Sequence, residues 1–177
     1  MFQSQERQSA REFVSGESHF VQGRRYRLDV IEENRPAAVR LRNNTTLELR
    51  VRPGTNRDKR EEILNHWYRA LLKNQIDQLL PKWQKKLGVT VSKWGVRKMK
   101  TRWGTCNIEA RRIWVNLELA KKPPQCLEYI VVHEMVHLLE RRHSDRFLAL
   151  MDKHLPNWRH MRDELNREPL AHEHWVY

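Results

Sequence analysis

The side chains best suited to chemistry are gathered in one run, Val131-Val132-His133-Glu134-Met135-Val136-His137, with His143 six residues further on. On an α-helix four residues advance about 400°, so His133 and His137 stand one above the other on a single face. Two imidazoles so placed can grip one metal ion. Glu134 sits about 100° around the helix, close enough to touch a water on that ion without ligating it. Tyr129, Ile130, Val131, Val132, Val136, Leu138 and Leu139 make the segment apolar nearly all round, which predicts a buried helix. A polar cluster buried there needs a partner, and a metal is the natural one.

His143 demands a change of direction. An unbroken helix would carry it about 600° past His137, pointing away from the metal. The same offsets occur in the metzincin pattern H-E-x-x-H-x-x-G-x-x-H, but Glu140 stands where that pattern has its turning glycine. The turn is therefore expected one or two residues later, near Arg141-Arg142. Ser144 suits the N-cap of a following helix that starts at Asp145, whose carboxylate favours the positive helix end. His143 then lies at a helix–helix junction and can supply a third ligand. Three protein ligands leave a fourth position for water, which is the catalytic arrangement.

The elements that must hold this run are legible in outline. Residues 1–16 read as weakly ordered and 169–177 as a tail, with a single domain over 17–168. Within it, 17–53 is β-rich: His19-Phe20-Val21 and Arg24 to Ile31 form a hairpin turning at Gly23, and Ala37 to Leu41 pairs with Thr46 to Val51 across Asn43-Asn44. Pro53-Gly54 closes this layer. Ile63, Leu64, Trp67, Leu71, Ile76, Leu79 and Leu80 recur at helix spacing over 57–87, with Gly88 as the stop and Pro81 expected to kink or split the helix. The remainder, 88–168, carries the chemistry. A strand over Val89 to Lys100 is interrupted at Trp94-Gly95, where the glycine marks a bulge or a close backbone approach. Another covers Arg111 to Asn116, with Ile113 and Val115 facing one way and Trp114 and Asn116 the other. Pro124 fits the first turn of the metal helix. Phe147, Leu148, Leu150 and Met151 suit a further helix, and Trp158 to Leu165 another after the break at Pro156-Asn157. His172 and His174 lie two apart and share no helix face, so they read as tail residues and not a second metal site.

Composition narrows the partners. The 177 residues carry 34 Lys+Arg against 22 Asp+Glu, a net charge of +12. That favours an anionic partner, a nucleic acid or nucleotide, although the basic residues are spread along the chain and not gathered in one tract. No apolar run reaches the roughly 18 residues of a membrane span. The start Gln3-Ser4-Gln5-Glu6-Arg7 is no signal peptide, so a soluble cytoplasmic protein with no membrane partner is expected. Cys106 and Cys126 lack C-x-x-C spacing and read as reduced thiols, not zinc ligands.

Beyond the single motif, the chain resembles the YgjP-like/SprT-like zinc metallopeptidases, small zincins. The resemblance spans roughly Ser15 to Leu165. It rests on Ser15-Gly16-Glu17, Gly23-Arg24-Arg25-Tyr26, Arg102-Trp103-Gly104-Thr105-Cys106, Asn116-Leu117, the H-E-x-x-H run, His143-Ser144-Asp145-Arg146-Phe147 and Pro156-Asn157-Trp158. Thr105 replaces the serine usual in the family's W-G-S-C element and keeps the hydroxyl. The resemblance implies a Zn2+ site of His133, His137 and His143 with Glu134 as general base. It implies an α+β, zincin-like fold, with an N-terminal antiparallel β layer and a small sheet packed on an active-site helix bundle. It also implies an edge strand that holds extended polypeptide substrate, for which Arg111 to Asn116 is the candidate. Trp103 and Cys106 then read as a packed turn supporting the helix.

The activity this suggests is peptide hydrolysis by a zinc-bound water that Glu134 deprotonates, the zinc lowering the water's pKa from about 15.7 to about 7. The transition-state donor is not marked in the sequence; Arg102, Arg141 and Arg142 are candidates. Two alternatives compete: a metal-dependent nucleotide or phosphoester hydrolase of pyrophosphatase type, and a basic DNA-associated protein with a structural zinc. The first usually wants carboxylate-bound magnesium or two metals, and neither a Gly-rich phosphate loop nor a carboxylate cluster is present. The second usually wants four protein ligands.

Overall fold

A computed structural model of the chain describes residues 11–167, which form two compact units: residues 11–19 with 26–64, and residues 20–25 with 65–167. His172 and His174, and most of the segment read as weakly ordered, lie outside the described residues; within it, Phe13 is buried.

The first sheet contains β1 (Ser18–Val21), β2 (Arg24–Glu32), β3 (Ala38–Leu41) and β4 (Thr46–Val51), in the order β1-β2-β4-β3. Period-two alternation builds it. In β4, Leu47, Leu49 and Val51 are fully buried while Thr46, Glu48 and Arg50 are half exposed. Both hairpin turns fall where the sequence puts them. Asn43 holds the second, its Oδ1 accepting from the backbone N–H of Thr45 and of Thr46. The expectation of an antiparallel layer needs one correction. β3 and β4 pair antiparallel, but β2 and β4 run parallel, with Leu28 opposite Leu47 and Val30 opposite Leu49. That register gathers the apolar residues of both strands on one face. β3 offers little to bury, with Leu41 42% exposed, and so takes the edge.

Helix α1 (Arg57–Leu87) runs unbroken through Pro81 and is not split there. The proline ring is exposed, away from the buried stripe Leu64, Tyr68, Leu72, Ile76, Leu80, Trp83 and Leu87. Tyr68 and Leu72, absent from the apolar pattern read in sequence, lie at its centre, and Trp67 and Leu71 flank it half-buried. Gly88 ends the helix in a left-handed conformation (φ 66°), and Val89 N–H donates to the Gln84 carbonyl as a Schellman cap requires.

The second sheet is β5 (Lys93–Arg97), β6 (Gly104–Asn107) and β7 (Arg112–Asn116), in the order β5-β7-β6. β5 begins later than the pattern from Val89 suggested and passes straight through Trp94-Gly95. Gly95 marks a close approach: a Cβ there would lie 2.2 Å from the Trp114 ring, which covers it from the neighbouring strand. β7 is the central strand, parallel to β5 and antiparallel to β6. It therefore has no free edge, so Arg111–Asn116 is not the edge strand expected from the resemblance; the edges are β5 and β6. Ile113 and Val115 are buried on one face, as the alternation predicts.

A 3-10 turn (Leu117–Lys121) leads into α2 (Pro124–Val136), which has Pro124 in its first turn and every residue from Tyr129 to Val136 buried. Then follow α3 (Asp145–His154) and α4 (Trp158–Arg167). α2 is anchored from several sides. Glu128 accepts hydrogen bonds from Trp83 Nε1 and Lys82 Nζ, each at 2.9 Å, and Tyr129 stacks on Trp158 at 6.2 Å between ring centroids. At the β1–β2 turn, Gln22 and Gly23 donate their N–H groups to the carbonyls of Ala120 and Lys121 just ahead of α2. A Cβ on Gly23 would fall 2.8 Å from Pro123 Cγ, so only glycine fits that position. The fold is α+β, and no helix among the described residues is long and apolar enough to cross a membrane.

Candidate metal centre

α2 positions His133 and Glu134 in its last turn, with His137 as its C-cap. The turn toward His143 comes earlier than expected. Leu138 and Leu139 donate to the carbonyls of Met135 and Val136, so the helix tightens to i→i+3 bonds and ends without a glycine. The chain has already left the helix at Arg141-Arg142. Ser144 caps α3, its Oγ accepting from Phe147 N–H, which fixes the far side of the junction.

This geometry brings the three histidines together. One ligand nitrogen from each of His133, His137 and His143 lies within 4.8 Å of the others, and the Nε2 atoms of His133 and His143 are 3.2 Å apart. His137 Nδ1 is 3.2 Å from the Glu140 carbonyl and donates to it, leaving Nε2 as the ligand atom. Burial lowers the pKa of all three; the positive charge of the neighbouring rings adds to this at His133, and that of His137 takes His143 to about 4. Neutral imidazoles with available lone pairs are what a metal needs. No fourth His, Cys, Asp or Glu joins the group among the described residues. The donor set fits zinc in an open site.

Glu134 is 3% exposed, and burial pushes its carboxyl up to about 8 against the opposing pull of Arg102. Of the three arginines considered as donors, Arg102 is therefore the one whose field reaches Glu134. Arg141 lies 3.9 Å from Glu109, and Arg142 N–H meets the Glu140 carboxylate.

Three residues that the sequence showed inside the motifs of the resemblance prove to support the centre. Phe147 lies against all three imidazoles, with ring centroids 4.9 Å from His133, 4.8 Å from His137 and 4.9 Å from His143. In the sequence it stood only as the last residue of the His143–Phe147 motif and as part of an amphipathic helix. Gly104 brings β6 against α2, where a Cβ would meet Ile130 Cγ2 at 2.7 Å and Glu134 Cγ at 3.0 Å. Asn116, fully buried, ties the loop before β6. Its Nδ2 donates to the carbonyls of Met99 and Arg102, and its Oδ1 accepts from Glu118 N–H. Trp103 packs in that loop, 2% exposed. Cys106 stands outside the histidine group as a free thiol; burial and the Glu134 charge push it up to about 12. Cys126 is also free, and burial takes it to about 11.

Compared with known proteins, residues 1–168 match the family profile described as "YgjP-like, metallopeptidase domain". No curated protein sequence matches the chain. Among solved structures, the crystal structure of the metallopeptidase zymogen of Pyrococcus abyssi abylysin is similar at 19% identity and a TM-score of 0.49. That match covers 52% of this chain and 93% of the other.

Proposed function

This chain belongs to the YgjP-like metallopeptidase family, and from that premise we propose that it cleaves peptide bonds with zinc held by His133, His137 and His143 and with Glu134 as general base. The observation that carries this reading is the convergence of those three ring nitrogens next to a buried glutamate, with no fourth protein ligand in the group among the described residues. Zinc, when bound, supplies Lewis acidity, polarising the scissile carbonyl and making water a nucleophile at neutral pH. The protein's own groups do the rest. The Glu140 carbonyl fixes the His137 tautomer, and burial keeps the imidazoles neutral. Burial pushes the Glu134 carboxyl up to about 8 in the metal-free protein. Beside the charge of bound zinc it would be pulled back down, leaving a carboxylate that can take a proton from water and return it to the leaving amine. The outer edge of β6 is unpaired within its sheet, and an extended substrate can add to it as a further strand beside Glu134.

A second reading, a nucleotide or phosphoester hydrolase, draws on the net charge of +12. One set of assays separates the two. Purified protein is tested for zinc content and incubated with a denatured protein and, separately, with nucleoside triphosphates. The peptidase reading expects zinc and peptide cleavage in the wild type, and loss of zinc in His143→Ala. Glu134→Gln is expected to keep zinc and lose at least about 100-fold in turnover. Undiminished turnover in Glu134→Gln, or hydrolysis of triphosphates alone, overturns it.

A further inference from the structure

The second sheet carries an open groove of about 620 Å³, lined mostly from the face turned away from α2 and also by Cys106 of the other face, that the proposed chemistry does not use. The strand register explains its lining. Ile113 and Val115 of β7 are buried on the α2 side, so Arg112 and Trp114 fall on the opposite face. Asn107 and Thr105 of β6 stand opposite them and share that face. Trp114 is the floor, its ring over Gly95 and the Arg97 guanidinium 3.9 Å above the ring centroid. Arg112 is 6.0 Å from the same centroid. Arg141, two residues before His143, completes the rim.

Two groups in this lining are left unsatisfied. Trp114 Nε1 and Arg112 Nε are buried and have no hydrogen-bond partner among the described residues. Buried polar atoms are nearly always paired, and both of these are donors, so the missing partner is an acceptor. Arg97 and Arg112 have no carboxylate partner among the described residues, and with Arg141, which pairs with Glu109 at 3.9 Å, they call for an anion. Glu109 at the rim disfavours a doubly charged phosphate and leaves a singly charged carboxylate as the better match.

Resting on the peptidase reading, we infer that this cavity is a specificity subsite that binds an acidic side chain, glutamate or aspartate, of a polypeptide lying along the edge of β6. Side chains of an added strand alternate between the two faces of the sheet. Residues on one face look toward α2 and Glu134, and their immediate neighbours, opposite Thr105 and Asn107, look into the cavity. The acidic residue therefore lies next to a residue on the Glu134 side.

The test uses full-length, zinc-loaded Glu134→Gln protein, so that binding is read without turnover. A short blocked alanine peptide with one glutamate is titrated against its glutamine counterpart, following the Trp114 indole N–H by NMR. The glutamate peptide is expected to shift that resonance and to bind about tenfold more tightly. Adding Arg97→Gln or Arg112→Gln should remove the difference while leaving the weaker glutamine peptide unaffected. Arg97 is exposed, so its variant keeps the fold even if the half-buried Arg112 proves structural. Equal binding of the two peptides overturns the inference. So does a Trp114 shift produced by a single-stranded oligodeoxynucleotide and not by the peptides. Because no cleavage is measured, failure here leaves the peptidase reading standing, and a protein inactive on peptides can still pass.

Discussion

The backbone of Gly104 lies so close to Glu134 that a Cβ at residue 104 would come within 3.0 Å of the glutamate Cγ and 3.2 Å of its Oε1. A methyl group there cannot be accommodated without moving β6 or the glutamate, because Ile130 Cγ2 closes the other side at 2.7 Å. Gly104→Ala is therefore expected to destabilise the protein by about 1–3 kcal/mol through overpacking and to lower kcat more than it raises KM. Urea unfolding together with steady-state peptide cleavage checks both parts. Unchanged kcat would mean that the contact does not position Glu134.

Phe147 touches each of the three imidazoles and is fully buried. Phe147→Ala is expected to cost about 3–5 kcal/mol and to loosen the histidine group, weakening zinc retention. Phe147→Leu should recover most of the stability. Competition with a chelator measures the zinc affinity; tight binding in the alanine variant would show that the histidines converge without this support.

Asn116 satisfies two carbonyls and one N–H from inside the core. In Asn116→Asp the Nδ2 donors are lost and a carboxylate oxygen faces the carbonyls of Met99 and Arg102. The expected loss is at least about 1–3 kcal/mol. Because Arg102 moves with the loop, activity should fall even below the melting transition. A variant as stable and as active as wild type would remove Asn116 from the support of the site.

In metal-free protein the titrations of the site act in opposite directions on stability. The histidines have folded pKa values below 6.5, so the unfolded state binds more protons in acid. Their contribution is full above about 6.5 and is lost as pH falls toward 4, the value for His143. Glu134 is the reverse case. Its folded pKa, raised from 4.5 to about 8, makes the native state bind more protons, so stability declines as pH rises from about 4.5 to 8. Denaturation of chelator-treated protein should accordingly show a maximum between these limits. Replacing Glu134 with Gln should abolish the decline on the alkaline side, and a decline that persists in that variant would assign it to another group.

Much of the site was written in local sequence, because its signals are local. His133, Glu134 and His137 depend only on helical spacing, Ser144 on the chemistry of a helix start, and Gly88 on that of a helix stop. Most strands and helices followed from the same short-range rules, including the N-terminal hairpins and α1 almost to the residue. What the sequence did not determine concerns elements far apart in the chain. The parallel pairing of β2 with β4 depends on which of two hairpin strands has the better apolar face to bury. The central place of β7, and hence the free edge on β6, depends on β5 arriving on its other side. Pro81 sits in an unbroken helix because tertiary packing holds that helix and leaves the ring exposed. Phe147 and Gly104 became parts of the centre only when α3 and β6 closed on α2, since a contact between distant segments leaves no periodic trace in either of them.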